Sequence, residues 1–555
     1  MRVRKSGLVT VQAVSGTHCV LFGFDMNKAD TRGLLGFAIR RTELNDDKET
    51  VWLRSSKTFP SLRESTAYDD VSSYSYPFQA FQWADYTAKP GFRYEYRVLP
   101  MYGKPGALSA GKATTFSITA EKSEGRKHSV YFNRGAIASQ AYTKRFGPNP
   151  PDKAGTYAWE WLARDLLPGL LAFIARAKSA GYSLNGAIFE THLPEVLDAF
   201  RAAHLRKAKV DILYEATAGT DTAKVNGKAI KAAGVTGLFT PRKKGRLAHN
   251  KFIVLSYRNK PIAVWTGSTN LSTNAIYGQL NVGHAIEDAA LAGQFLKYWH
   301  TLKTDPDNTN LKDWTEASNP VPEEGAPVAL LPLFSPHRGR AYFDWMTATA
   351  STARQALFMT FPFGIVKDFR PVFNHKDRIL RFALLDKYVN GGTRYSRKKA
   401  IAEIIKLRRL PNVGMAVGSS ITMNSIDGWL KEAAALGTFV NWVHTKFMLI
   451  DPLGDHPVTV SGSANWSQSS TTDNDENMVV VNGDKRVADI YLTEFMRIFS
   501  HHRFRESLEI HLRTHHTLED WKPRDLAERW EDWGPKHYVR GSEYEIKRRY
   551  FAGTV

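Results

Sequence analysis

The chain has little of what several common classes of protein depend on. It contains one cysteine, Cys19, in 555 residues, which excludes an internal disulfide and any Cys-x-x-Cys site. No segment approaches the ~20 apolar residues of a membrane-spanning helix. The stretch from Met1 to Met26 also lacks an apolar run long enough for a signal peptide. We therefore expect a soluble, cytoplasmic protein without a transmembrane segment.

Acidic residues are outnumbered by basic ones. The chain has 75 Lys and Arg against 55 Asp and Glu, so its formal net charge is +20. Such a surface attracts nucleic acid, anionic membrane or phosphorylated substrates. The excess is concentrated between Arg370 and Arg409, a run that either steers an anionic substrate or forms a solvated basic face. The sequence has no acidic cluster suited to two metal ions, and we expect no cofactor.

The order of predicted elements divides the chain. At 555 residues it is long enough for three or four domains. Phe92, Tyr94, Tyr96 and Val98 alternate with charged residues, which predicts a half-buried strand within an N-terminal β-region that resembles a fibronectin type III module. From His128 onward, predicted helices and strands alternate. This pattern favours an α/β fold with a mixed sheet, present twice.

Local signals give the boundaries of these units. A helix is predicted at Trp159–Ala177 with a break or kink at Pro168, and a basic helical region between Arg370 and Arg409. Glu316–Pro327 contains three Pro and three Glu and predicts a linker. We assign residues 1–127 to a β-sandwich, 128–318 and 328–505 to two similar α/β halves, and 506–555 to a basic, Trp-containing C-terminal segment.

A histidine cluster opens that C-terminal segment. His511 and His515 are four residues apart and could share a helix face and a metal ion. No Cys and no clear acidic third ligand is near them in sequence. A basic, partly helical cap is the favoured interpretation, and we assign no metal site.

One pattern of five residues occurs twice at a fixed offset of 195. The pairs are His249 and His444, Lys251 and Lys446, Gly267 and Gly462, Ser268 and Ser463, and Asn270 and Asn465. A lone His-x-Lys is usually a solvated strand end, and a lone Gly-Ser-x-Asn is usually a turn. Five matched positions at one offset are not explained in that way. The repeat therefore predicts one site built from two halves.

The spacing within each copy predicts a hairpin. Residues two apart, such as His249 and Lys251, point to the same face of a strand. A short apolar run follows, then a turn-rich segment (Ser256–Pro261 or Asp451–Pro457), then a second apolar run. The open end of such a hairpin brings the His and Lys beside the Gly-Ser-x-Asn. Each copy thus gathers an imidazole, an ammonium, a hydroxyl and a carboxamide.

This set of groups suits a phosphate. Lys supplies positive charge, while Asn and Ser supply hydrogen bonds. Gly267 and Gly462 would let the backbone approach a ligand closely. With two halves facing each other, one His would attack phosphorus and the other would protonate the leaving group. Two further candidates for substrate contacts are Glu190, at a predicted strand end where an exposed Glu is the more common alternative, and Arg246, just before His249.

These residues resemble the phospholipase D superfamily, whose pattern is His-x-Lys-x4-Asp followed by Gly-Ser-x-Asn. The second copy has the full pattern, with Asp451 as the aspartate and an acidic stretch around Glu476 downstream. The first copy has Ser256 in place of the aspartate, and Gln279, Leu280 and Asn281 in place of the acidic stretch. The resemblance covers residues 128 to 505.

The resemblance implies a fold and a set of roles. It implies two α/β lobes with the site at their interface, and metal-independent chemistry through a phosphohistidine. It implies that His249 attacks phosphorus, that His444 acts as acid and then base, and that Asp451 is structural. It implies that Glu476 supports an imidazole and that the non-bridging oxygens are held by Lys251, Lys446, Asn270 and Asn465, with Ser268 and Ser463 orienting the groups around them. Because Glu476 belongs to the second copy, the reverse assignment of the two His stays open.

The substrate class is open at this stage. Phospholipids and nucleic acids both carry phosphodiesters, and a charge of +20 suits either. Two motifs in one chain are typical of the phospholipases, which slightly favours phospholipid and peripheral contact with an anionic membrane. The lack of a membrane-inserting segment favours nucleic acid. A phosphate-binding scaffold without catalysis is the third alternative, and we expect a monomer.

Overall fold

The computed structural model describes residues 1–46, 48–62, 70–135, 142, 145–146, 151–323, 329–389, 391, 393–418, 443–515 and 525–554, with the backbone alone for 508–515. Within these ranges the fold consists of an N-terminal all-β region and two α/β halves. No helix in the described ranges is long and apolar enough to cross a bilayer.

Two antiparallel sheets form the N-terminal sandwich. The first has the order β1–β2–β3–β8, with strands Arg2–Lys5, Thr10–Ser15, Val20–Asp25 and Gln82–Asp85. The second has the order β10–β9–β4–β5, with β11 also on β9; the strands are Ala107–Ala110, Arg93–Lys104, Leu34–Glu43, Thr50–Trp52 and Thr114–Thr119. Arg54–Ser55 and Val71–Ser72 (β6 and β7) form a separate ribbon. Tyr94 and Tyr96 are fully buried between the sheets, which confirms the alternating strand.

The two halves contain seven-stranded sheets with the same strand order. The first sheet is β12–β18–β17–β16–β13–β14–β15 and the second is β19–β25–β24–β23–β20–β21–β22. The strands of the first sheet, β12 to β18, are His128–Phe132, Tyr182–Ile188, Lys209–Glu215, Phe239–Arg242, Lys251–Tyr257, Lys260–Gly267 and Val282–Ile286. Those of the second, β19 to β25, are Leu330–Ser335, Ala356–Phe361, Leu380–Leu385, Val413–Val417, Phe447–Ile450, Val458–Gly462 and Glu476–Asn482.

In each sheet three strands are parallel and the rest pair antiparallel, so the predicted mixed α/β fold and its duplication are confirmed. The helices of the first half are Pro151–Ala154, Thr156–Ala163, Leu166–Ala175, Pro194–Leu205, Asp221–Ala232, Ala289–Lys303 and Asn308–Ser318. Those of the second half are Ala341–Ser351, Arg370–Phe373, Arg394–Arg408, Gln468–Thr472 and Lys485–His515.

Two of these helices join the halves. Ala289–Lys303 packs on the first sheet and contacts β19 of the second, while Lys485–His515 packs on the second sheet and contacts β12 of the first. A single apolar cluster therefore contains residues of both sheets, such as Phe252 and Phe447. Because the sheets share a core, the ends of their central strands are held in fixed relation.

The break in the predicted helix at Trp159–Ala177 lies earlier than expected. The structure has two helices separated at Arg164, whose φ is 49°. Pro168 lies in the first turn of the second helix, where its missing N–H has no intrahelical partner to lose. The prediction of a break at Pro168 is therefore wrong by four residues.

Other boundaries also differ from the predictions. The basic region Arg370–Arg409 contains a buried strand, β21, before its helix. The predicted linker begins later, because Glu316 still belongs to the helix Asn308–Ser318; residues 324–327 lie outside the described part. The helix that begins at Lys485 continues through the predicted boundary at 505.

The C-terminal segment completes the N-terminal sandwich. Trp530 and Trp533, in the helix Trp530–Trp533, are buried in the same core as Phe81. The indole Nε1 of Trp533 donates to the carbonyl of Leu34 at 3.3 Å. A last helix, Glu543–Phe551, packs on β3. The cap predicted here is partly helical, as expected, but it is part of the core; Trp521 lies outside the described residues.

Candidate active site

The two predicted hairpins are present, and their open ends meet. The first joins β16 to β17 through Arg258 and Asn259, which both have positive φ, as a two-residue hairpin turn requires. The second joins β23 to β24 through the loop from Asp451 to Pro457. Two short bridges link the halves directly, Ala248 with Asp475 and Leu280 with Val443. Their members are also related by the offset of 195, so the site has approximate twofold symmetry.

Both motif histidines line one pocket of ≈ 750 Å³ at this junction. Glu190, Asn270 and Asn465 line it as well. A wall of the second half closes one side, formed by Phe363, Ile365, Val366, Lys367, Arg370 and Val389. This wall was not predicted, because none of its residues belongs to the repeat.

His249 is held by a carboxylate of the other half. Its Nδ1 lies 2.8 Å from Oε2 of Glu476, and both side chains are buried. A carboxylate accepts only, so Nδ1 carries the proton and Nε2 is left for the pocket. Burial lowers the pKa of His249, although Glu476 opposes this. Burial raises the pKa of Glu476, but His249 and Lys251 lower it more, so it stays ionised.

His444 is held by a carboxamide of the other half. Its Nδ1 lies 2.8 Å from Oδ1 of Asn281, whose Nδ2 donates to the carbonyl of Ala275 at 2.9 Å. Since that bond fixes the amide, Oδ1 must accept, and it also accepts from Ser268 Oγ at 2.8 Å. His444 is therefore protonated at Nδ1. Burial, together with Lys446 and Lys251, lowers the pKa of His444 well below its usual value.

Asn281 was not assigned to the site from the sequence. It occupies the position that corresponds to Glu476 at the offset of 195. The signal that identifies it is the same offset, applied to positions where the two copies have different residues. The two support residues exchange partners across the interface, so neither half has a complete site without the other.

The two motif lysines are buried beside the histidines. Nζ of Lys251 donates to the carbonyl of His249 at 2.8 Å, and Nζ of Lys446 to that of His444 at 2.6 Å. Burial lowers the pKa of Lys251 to about 8. Burial and the charge of Lys251 lower the pKa of Lys446 well below its usual value. The positive charges of Lys251 and Lys446 repel each other, and an anionic ligand nearby would relieve that cost.

The motif asparagines carry unsatisfied atoms. In the described residues, Oδ1 of Asn270 and Oδ1 of Asn465 are buried without a hydrogen-bond partner. Leaving a buried acceptor unpaired costs about 1–3 kcal/mol, but an amide oxygen cannot donate, so only the Nδ2 groups of these residues can contact a phosphate oxygen. Nδ2 of Asn270 donates to Glu190 at 3.1 Å, and Ser272 Oγ donates to the same carboxylate oxygen at 2.8 Å.

Several motif residues shape the backbone instead. Asp451 accepts hydrogen bonds from the backbone N–H groups of 354, 355 and 356 at 2.7 to 3.2 Å, which fixes the turn into β20. Ser463 Oγ accepts from the N–H of Asn477 at 2.9 Å, which holds the strand after Glu476. A Cβ on Gly267 would lie 2.2 Å from Val282 O, and one on Gly462 equally close to Asn477 O. The glycines therefore admit a neighbouring strand, and that they also let the backbone approach a ligand stays a prediction.

The predictions for Arg246 and for the C-terminal histidines have different outcomes from those for the motif residues. Arg246 is exposed and does not line the pocket, so its role in substrate binding stays a prediction. Its neighbour Arg242 is buried and joins the halves, with Nε 3.0 Å from Asp475 and NH1 2.7 Å from Asp305. The side chains of His511 and His515 lie outside the described part; inside it, no group of three His, Cys, Asp or Glu could hold a metal.

Comparison with known proteins gives one family. A family model described as "Cardiolipin synthase, PLD-like domain" matches residues 171–303 and 398–499. No curated protein sequence matches the chain. Similar solved structures include phosphatidylserine synthase from Haemophilus influenzae, at 10% identity and a TM-score of 0.42 over 61% of this chain and 85% of that one.

Two further solved structures are similar over smaller parts of the chain. Nuc from Salmonella typhimurium, described as a phospholipase D family member, has 21% identity and a TM-score of 0.22 over 25% of this chain and 87% of its own. Yeast tyrosyl-DNA phosphodiesterase has 10% identity and a TM-score of 0.33 over 58% of this chain and 88% of its own.

Proposed function

The chain belongs to the phospholipase D superfamily, and we propose that it cleaves a phosphodiester through a covalent phosphohistidine on His249. The observation that carries this proposal is the exchange of support residues across the interface. Glu476 holds His249 and Asn281 holds His444, so two histidines with different supports face one pocket. Two different supports suit two different roles.

In the first step His249 is the nucleophile. Its Nε2 forms a bond to phosphorus while the bond from phosphorus to the leaving oxygen breaks. His444, protonated at both ring nitrogens, gives its Nε2 proton to that oxygen and becomes neutral. Lys251, Lys446 and the amides of Asn270 and Asn465 donate to the non-bridging oxygens, where negative charge accumulates.

In the second step the phosphohistidine is broken down. Neutral His444 takes a proton from water or from another alcohol, whose oxygen then attacks phosphorus. The bond from phosphorus to Nε2 of His249 breaks, and the imidazole returns to its neutral form. The product is a phosphomonoester after hydrolysis, or a new diester after transfer to an alcohol.

The choice of His249 over His444 as nucleophile rests on charge. A histidine bonded to phosphorus carries positive charge, which the carboxylate of Glu476 offsets at 2.8 Å. Asn281 offers only a carboxamide dipole to His444. A group that must release a proton is better served by a neutral partner, because a carboxylate would hold that proton more firmly.

In this mechanism the motif residues contact only the phosphodiester group, which phospholipids and nucleic acids share. The slight preference for phospholipid, predicted from two motifs in one chain, stays a prediction. We would measure turnover of phosphatidylcholine, phosphatidylethanolamine and plasmid DNA side by side, each with a His249→Ala control. Cleavage of one substrate class that the variant loses supports the proposal. No turnover of any substrate, including a small activated diester, favours the phosphate-binding scaffold.

A further inference from the structure

The outward face of the helix Arg394–Arg408 carries a line of cations. Ile404 and Leu407 are buried against the second sheet and fix which side faces out. The opposite side, which we name the basic face, consists of Tyr395, Lys398, Lys399, Ala402, Lys406 and Arg409, all exposed. Tyr395 is 79% exposed, an unusual position for an aromatic ring.

Within the part of the chain that the structure describes, the charges of the basic face form no ion pair with other residues of the protein. In this helix, Glu403 forms an ion pair with Arg370, and Arg408 forms one with Glu506. Across the described ranges, Lys398, Lys399, Lys406 and Arg409 form no ion pair. Arg394 and Arg397, in the first turn, are exposed and equally unpaired within those ranges. Six cations along about 22 Å of helix leave a strong positive field that repels itself unless an anion binds.

The helix that carries the basic face is connected to the pocket wall at two points. Val389, four residues before the helix N-cap Thr393, lines the pocket. Arg370 also lines the pocket, and it holds Glu403 near the middle of the helix. The exposed Lys367 continues the positive charge from the helix to the pocket wall. A polyanion bound along the basic face would therefore reach the two histidines.

We propose that the basic face binds the phosphate backbone of a single-stranded nucleic acid whose scissile phosphodiester lies in the pocket. This rests on the proposed function and names the substrate class for it. Cations that follow a backbone, combined with an aromatic ring on which a base stacks, are typical of surfaces that bind single strands. Tyr395 supplies such a ring at the N-terminal end of the basic face, one helical turn before Lys398 and Lys399.

The same face is poorly suited to a membrane. A helix that lies in a membrane interface buries a broad apolar side with Trp, Phe or Leu among the lipids. Here Ile404 and Leu407 point into the protein, and only Tyr395 and Ile405 are exposed as large apolar residues. We therefore favour nucleic acid at this face, and the test includes binding to phospholipid as the alternative outcome.

The test replaces three lysines of the basic face. We would compare the full chain with its Lys398→Gln, Lys399→Gln, Lys406→Gln variant by fluorescence anisotropy with a single-stranded oligonucleotide. We expect at least tenfold weaker binding and a shallower salt dependence, by about 0.7 in log–log slope for each phosphate that the variant no longer neutralises. Tyr395→Ala should weaken binding at least fivefold with the slope unchanged.

The matched control changes the same charge elsewhere. Lys28, Lys104 and Lys112 are exposed on the N-terminal sandwich, and their replacement by Gln should leave binding within twofold. Turnover of bis(p-nitrophenyl) phosphate should be equal in all variants, because this diester is too small to reach the basic face.

Two results would contradict the proposal that the basic face binds nucleic acid. One is unchanged oligonucleotide binding in the basic-face variant. The other is loss of binding to phosphatidylglycerol vesicles with oligonucleotide binding retained, which would assign the face to a membrane. Absence of turnover of the small diester would instead contradict the proposed function, and the binding measurements would still decide on the face.

Discussion

At the scale of single residues, the site depends on two support residues that differ in charge. The sequence identifies His249 and His444 because both copies keep them, and it identifies Glu476 because it is acidic. It does not reveal which histidine Glu476 contacts, since a hairpin argument places residues within one copy only. The contact crosses the interface, and only the shared core between the sheets determines that crossing.

The surroundings of His444 predict that kcat/KM is highest at acidic pH. His444 donates a proton only when both ring nitrogens carry one, and burial with Lys446 and Lys251 lowers its pKa well below 6.5. As pH rises through that pKa the acid form is lost, so kcat/KM for a diester with an alkyl leaving group should fall before neutrality. The pH profile of kcat/KM measures this.

A substrate with a p-nitrophenyl leaving group provides the control for that profile. This group departs without a proton, so the fall should vanish or move to higher pH. An identical fall for both leaving groups would show that His444 is not the acid.

At the scale of elements, the hairpins were predictable and their surroundings were only partly so. Apolar runs on either side of turn residues predict β16, β17, β23 and β24 from local sequence. The sequence does not predict the strand Leu380–Leu385, because the basic residues on both sides of it favour a helical region there. The helix Asp221–Ala232 was missed because it buries only Asn226 and Ile230, so it has almost no apolar stripe.

The motif glycines predict a stability effect within these elements. A Cβ at Gly267 would lie 2.2 Å from Val282 O, and φ there is 137°. Gly267→Ala should therefore lower the free energy of unfolding by about 1–3 kcal/mol, measured by chemical denaturation. The control is Gly227→Ala in an open helical position with nothing within 4 Å, which should stabilise by about 0.5–1 kcal/mol. Equal effects would contradict the assigned role of Gly267.

At the scale of the whole molecule, the two ends of the chain form one core. The sequence signals strands near the N-terminus and tryptophans near the C-terminus, but no local pattern states that they pack together. Trp533 lies 6.0 Å from Phe81 and 5.1 Å from Trp530, measured between ring centroids. Such long-range packing depends on shape and volume, which a single sequence does not display.

This packing predicts that the sandwich depends on the C-terminal segment. Trp533→Ala should lower the free energy of unfolding by about 3–5 kcal/mol, since it empties a buried site. Leu205→Ala, at a position that is 71% exposed, is the control and should change it by less than about 0.5 kcal/mol. Chemical denaturation of both variants gives the comparison. A Trp533 effect as small as that of the control would show that the segment is not part of the core.

The most direct test of the account is to locate the covalent intermediate. A reaction quenched in alkali and analysed by peptide mass spectrometry should show a phosphoryl group on His249. With bis(p-nitrophenyl) phosphate, whose leaving group departs without a proton, the His444→Ala variant should accumulate it, because that variant lacks the base for the second step. His249→Ala should show none. A phosphoryl group on His444, or none on either histidine during turnover, would contradict the central claim.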